Sequence, residues 1–191
     1  PFPAGLNVCV SGFDYIKTNA KKLNIDSERI VISGESGGGN LTLAMGIKLS
    51  QAGRSNEVKG LYALCPYIAG IWPLPENPSS TENNGIMLDL HNDHGAVIYG
   101  IEEWENRNPL AWPGFAKEKD VKDLPKTFIS VNECDPLRDE GINFYRLLRR
   151  ANVEAQCRVL SGTIHGTDTM VLSCPEVSLE TARSIAAFTG D

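Results

Sequence analysis

The 191-residue sequence is short of several things. No apolar run approaches the roughly 18 residues that a spanning helix needs, so no membrane span is expected. Basic residues are in deficit: 18 Lys and Arg stand against 24 Asp and Glu, a net charge of −6. Phosphate backbones are bound by basic faces, so no nucleic-acid partner is expected. No signal-peptide pattern opens the chain, which begins at Pro1 rather than Met. There is no C-x-x-C pair. The five cysteines (Cys9, Cys65, Cys134, Cys157 and Cys174) are scattered and odd in number. They are read as free thiols, most of them small buried hydrophobes, in a reducing compartment, and the expected location is cytoplasmic. Internal repeats are absent, as is any linker long enough to divide domains. Histidine is scarce, with three in the chain.

What is present alternates. Residues 6 to 23 read as a helix, with Val8, Val10, Phe13, Ile16 and Leu23 at roughly helical spacing. "RIVIS" (29–33), "VKGLYALCP" (58–66), "KTFISVN" (126–132) and "EAQCRVL" (154–160) read as strands. The segment from Ser36 is apolar nearly all round, the mark of a buried helix. Residues 137 to 152 form an amphipathic helix with Ile142, Tyr145 and Leu148 on one face, and residues 176 to 188 close the chain as another. Residues 69 to 85, rich in Pro, Asn and Ser, read as a loop or mobile cap, and 86 to 104 as a region holding a helix. Strands that alternate with helices predict an α/β fold: a mostly parallel sheet of about four strands, helices on both faces.

The stretch "VISGESGGGN" (31–40) joins a predicted strand to a predicted helix and contains G-x-S-x-G around Ser36. That is the setting of a nucleophile elbow, in which a sharp turn lifts the serine hydroxyl above the sheet. Gly34 and Gly38 give the turn room, and the N–H of Gly37 points to where an oxyanion would form. The alternative is a glycine-rich loop that only caps a helix or binds phosphate. Neither G-x-G-x-x-G nor a P-loop Lys-Ser/Thr is present. Asn40-Leu41-Thr42 formally matches a glycosylation site, but it opens a helix expected to be buried.

A serine nucleophile needs a base, and the base needs a carboxylate to orient it. His165, in "SGTIHGTD", follows the last strand, where α/β active residues collect. His91 and His94, with Asp89 and Asp93 nearby, could suggest a metal site, but read better as a solvated polar loop; no metal and no cofactor are expected. Asp135 directly follows the third strand and lies between Ser36 and His165, in the chain order Ser…Asp…His. Glu133 is its rival. Asp139 and Glu140 fall in the first turn of the next helix, where carboxylates favour the dipole. Trp72, Tyr99 and Trp104 either line an acyl or alcohol pocket or are ordinary packing.

"GESGGGN", "VNECDPLRDEG" and "IHG", in this order, resemble the hormone-sensitive-lipase-like branch of the α/β-hydrolases. The resemblance runs through most of the chain and is least over 70–81 and 90–105. It implies a carboxylic-ester hydrolase with Ser36 as nucleophile, Asp135 as acid, His165 as base and Gly37 as one oxyanion donor. It also implies an acyl-enzyme, a small-molecule ester substrate and no cofactor. One departure stands out. Members of the family carry H-G-G-G well upstream of the serine, and none occurs here. Residues 1–191 therefore read as a partial α/β-hydrolase catalytic domain, the C-terminal part of an esterase. An absent oxyanion donor would cost ~2.7–4 kcal/mol, a factor of ~10²–10³ in rate. Two alternatives remain open: a non-catalytic small-molecule-binding member of the fold, and an inactive truncated one.

Overall fold

The computed structural model describes residues 1–89, 91 and 93–190. Among them, β1 (Val31–Glu35), β2 (Gly60–Leu64), β3 (Thr127–Asn132) and β4 (Ala155–Leu160) form a four-stranded sheet in chain order, with every neighbouring pair parallel. The register sets Gly34 beside Ala63 and Ala63 beside Ile129, so the carboxyl ends of the strands come level along one rim. The site is built on that rim.

The period-2 alternation of the strands divides the core. Leu61, Ala63, Ile129 and Val131 face α3 (Gly37–Gln51) and α7 (Arg138–Arg150). Tyr62 and Leu64 face the opposite way, toward Ile185 and Phe188 of α8 (Pro175–Gly190). On that side the Tyr62 and Phe128 rings stack 4.5 Å apart, and Phe188 meets both edge-on. Such aromatic pairs add about 0.5–1.5 kcal/mol beyond the area they bury. α3 is buried along most of its length through Leu43, Ala44, Met45, Ile47 and Leu49, as its composition predicts. The buried face of α7 is centred on Phe144, Leu147 and Leu148, while Ile142 and Tyr145 flank it half-buried.

Several local expectations are corrected. The first helix is two: α1 (Ala4–Thr18) and α2 (Ala20–Leu23), broken at Asn19. Leu6 and Phe13 are buried, whereas Val8, Ile16 and Leu23 stay exposed. β1 begins two residues later than its apolar run, because its pairing with β2 carries it through Gly34 and Glu35. Of the five free cysteines only Cys65 is buried; the other four are half-exposed.

The polar segment 69–85 holds a helical turn, α4 (Ser79–Glu82), and is tied down rather than loose. Ser79 donates from its N–H to Asp139 and from its hydroxyl to the carbonyl of Pro136. Asn83 donates to the carbonyls of Glu133 and Asp135. Its Asn and Ser side chains serve tertiary hydrogen bonds, which composition alone reads as loop. The next helix is α5 (Asp93–Glu105), with non-helical backbone at Gly100. The short α6 (Glu118–Val121) precedes β3.

Candidate active site

Ser36 occupies the turn between β1 and α3 at φ 57°, ψ −116°, a conformation that costs a non-glycine residue of order 1–3 kcal/mol. The surroundings hold it there. Its N–H donates to the carbonyl of Leu64, and its own carbonyl accepts from Asn40 and Tyr67. At Gly34 a Cβ would stand 2.3 Å from the backbone oxygen of Gly38, so only glycine fits. At Gly38 itself a Cβ would meet nothing within 4 Å, contrary to the room-giving role expected of it. Gly39 is the second tight position, where a Cβ would lie 2.9 Å from the Leu64 carbonyl oxygen. Gly37 opens α3, so its N–H is one that the first helical turn leaves without an intrahelical partner.

The fold brings Ser36, His165 and Asp135 into one hydrogen-bonded line. His165 Nε2 is 3.0 Å from Ser36 Oγ, and His165 Nδ1 is 2.8 Å from Asp135 Oδ2. Asp135 is fully buried, and its other oxygen accepts from the N–H of Leu137 at 2.9 Å. His165 is 5% exposed. Its loop is laced to the turn after β3: Cys134 donates to the carbonyl of Thr163, and Glu133 accepts from the N–H of Gly162. Glu133 is therefore occupied elsewhere and does not approach the histidine.

Residues that the sequence reading placed in no site complete the surroundings. Asp168 is buried beneath the His165 loop, where it accepts from Asn132 and Thr181 and faces Arg158 at 3.3 Å. Glu140 does more than cap a dipole: it is buried and accepts from the backbone N–H groups of Ile68 and Ala69. Burial pushes its carboxyl well above the usual range. Glu35 and Cys65 lie against His165. The only signal in the sequence for either was Glu35's place beside Ser36.

Glu35, Cys65 and His165 each bring a potential ligand atom within 4.8 Å of the others. Here His165 Nε2 is engaged with Ser36, and burial pushes the Cys65 thiol up, keeping it protonated. The trio is therefore read as part of the surroundings of His165 rather than as a cation site. His91 and His94 are exposed, and Asp89 lies 3.2 Å from His91 Nδ1; among the described residues neither histidine belongs to a group of three potential ligands. The side chain of Asp93 lies outside the described residues. Asn40, the formal glycosylation position, is buried and donates to the carbonyls of Tyr67 and Ala111.

A cavity of ≈ 320 Å³ opens beside Gly37, lined by Asn40, Leu41, Tyr67, Gly95, Tyr99 and Trp112. Of the three aromatics singled out from sequence, Tyr99 lines it. Trp72 is buried and packs edge-on against Tyr67 without lining the cavity, and Trp104 packs on Phe115 and donates to the carbonyl of Ala69. A larger cleft of ≈ 630 Å³ has Glu140 and Asn143 in its wall; neither cavity is lined by Ser36, Asp135 or His165, and only the smaller of these two includes an elbow residue, Gly37. Among the described residues no helix is long and apolar enough to cross a membrane.

Comparison with known proteins follows the geometry. A family model described as the alpha/beta hydrolase fold matches residues 1–169. An arylesterase of Saccharolobus solfataricus is 30% identical across 100% of this chain and 60% of its own length. The structure of esterase Est22 is 64% identical with a TM-score of 0.97, covering 100% of this chain and 57% of that one. Brefeldin A esterase, described as a bacterial homologue of human hormone-sensitive lipase, is 37% identical with a TM-score of 0.92, covering 100% and 55%. The chain thus spans less than two thirds of the length of these relatives.

Proposed function

Because the chain belongs to the alpha/beta hydrolase fold family, we propose that the protein to which these residues belong hydrolyses carboxylic esters of small molecules, with Ser36, His165 and Asp135 as its catalytic residues. The observation that carries the reading is the unbroken line from Ser36 Oγ through the imidazole to the buried Asp135 carboxylate. The names of the relatives, esterases and an arylesterase, support the same reaction class.

In this mechanism Ser36 Oγ attacks the ester carbonyl as its proton passes to His165 Nε2. The carbonyl electron pair moves onto oxygen, and the N–H of Gly37 donates to it; none of the 191 residues is assigned as a second donor. Collapse of the tetrahedral intermediate expels the alcohol, which takes the proton from His165, and leaves an acyl-serine. A water, giving its proton to His165, then attacks the acyl carbonyl, and collapse of the second tetrahedral intermediate breaks the bond to Ser36 Oγ, which takes the proton back from His165 as the carboxylic acid leaves. Asp135 holds the ring with Nε2 toward serine and balances the imidazolium charge. The apolar, aromatic cavity beside Gly37 suits one arm of a small ester.

The test is chemical labelling. In the whole protein a fluorophosphonate should modify Ser36, and Ser36→Ala should abolish both labelling and turnover of p-nitrophenyl acetate. Folded protein that resists the probe, or hydrolysis that survives S36A, removes the reading.

A further inference from the structure

One acidic side chain beside the base has no part in the relay. Glu35 ends β1 and immediately precedes the nucleophile. Its Oε1 lies 3.5 Å from His165 Nε2, the nitrogen that also meets Ser36. The Cys65 thiol donates to that same carboxylate oxygen at 3.4 Å. Cys65 follows β2, is fully buried and sits at φ 31°, so the chain accepts a disfavoured backbone to place this thiol. Gly166, next after the base, has φ 73°, and a Cβ there would stand 3.1 Å from Glu35 Oε1. Three segments, from the ends of β1, β2 and β4, therefore converge on one carboxylate oxygen. An exposed glutamate with no task would turn its carboxylate to water; this one is 31% exposed and is held inward at one oxygen.

We propose that Glu35 is a positioning residue for His165: a second carboxylate, aimed by Cys65, that stabilises the imidazolium formed when Nε2 takes the Ser36 proton. The inference rests on the ester-hydrolase reading. Asp135 serves the Nδ1 side whether or not the ring is charged. Glu35 faces Nε2, which has no proton to offer in the resting ring and acquires one as the serine attacks. Its attraction therefore grows along the reaction, which is the condition for lowering a barrier rather than only tightening the resting state.

The other charged groups around the ring are committed. Asp168 is paired with Arg158 of β4 and bonded to Thr181 of α8. Glu133 accepts from Gly162. Glu140 of α7 faces the N–H groups of Ile68 and Ala69, and burial pushes it toward its neutral form.

The experiment uses the whole enzyme with p-nitrophenyl acetate, and reads both the pH profile of kcat/KM and the NMR titration of the His165 ring. In Glu35→Gln the His165 midpoint and the acid limb of kcat/KM should move together to lower pH by about one unit, with the plateau reduced roughly tenfold. Glu35→Asp, which keeps the charge, should restore most of the acid limb. Cys65→Ala, which keeps the charge but loosens it, should give a smaller loss of plateau. A folded E35Q whose His165 titrates as in the wild type overturns the proposal. If E35Q does not fold, a C65A plateau and midpoint equal to wild type overturn it instead. Absence of Ser36-dependent turnover in the wild type would remove the ester-hydrolase reading and this one with it. An unchanged titration alongside intact turnover removes only the role of Glu35.

Discussion

Asp135 and His165 meet at 2.8 Å across two loops, with the aspartate fully buried and its second oxygen held by the N–H of Leu137. The carboxylate therefore reaches the ring from a fixed direction. Asp135→Asn keeps the shape but offers an amide where the ring needs an acceptor, favouring the wrong tautomer. In the whole protein kcat for p-nitrophenyl acetate should fall by roughly 10⁴-fold, with KM little changed and the fold intact by circular dichroism.

The glycines of the elbow should separate into two classes. At Gly34 the obstacle is the backbone of Gly38, which no rotamer change can move aside. Gly34→Ala should cost at least about 1–3 kcal/mol, and activity should be lost with it. Gly37 and Gly38 face open space inside a helix, so alanine at either should stabilise by about 0.4–1 kcal/mol. Urea denaturation midpoints of the three variants distinguish the classes.

Glu140 makes stability depend on pH in an unusual direction. Burial raises its carboxyl well above the ordinary range in the folded state. From about pH 4.3, where an unfolded glutamate titrates, up to its folded value, the native state therefore binds more protons than the unfolded one. Its contribution to stability is full below that window and is lost as pH rises through it. Glu140→Gln can still accept from Ile68 and Ala69 and never ionises. Its denaturation midpoint should fall less steeply between about pH 4 and 8 than that of the wild type, and exceed it at neutral pH. Glu140→Ala, which leaves two buried N–H groups unpaired, should be destabilised throughout.

Asp168 ties the His165 loop to the sheet and to α8. Its carboxylate is fully buried, while Arg158 retains 19% exposure. Asp168→Asn leaves that guanidinium without its counter-charge and should cost about 3 kcal/mol, near the low end for breaking a buried pair because Arg158 still reaches water. The loss is to be read as a lowered melting temperature. Activity should fall with it, because Thr167 and the His165 backbone are set by the same turn.

The four strands, the helices between them and the strand-to-helix elbow that carries Ser36 were legible in the sequence, because each is written in neighbouring residues. Period-2 and period-3.6 patterns encode local backbone, and a glycine two residues before Ser36 encodes an elbow that a Cβ would close. Scarcity helped as well: with three histidines in the chain, a single one follows the last strand.

Tertiary structure alone decided what depended on contact between distant segments. Asp135 was preferred to Glu133 from its place in the chain, but the two are two residues apart and chemically alike; the turn after β3 is what sends one to His165 and the other to Gly162. The roles of Glu35, Cys65 and Glu140 likewise lay outside any local pattern. Their partners sit 30 to 130 residues away, brought close by the parallel register that levels the strand ends. A sequence pattern specifies which way a side chain leaves its own backbone. Which groups it then meets is set by the packing of the other segments, and the buried polar chemistry of this protein is made of those meetings.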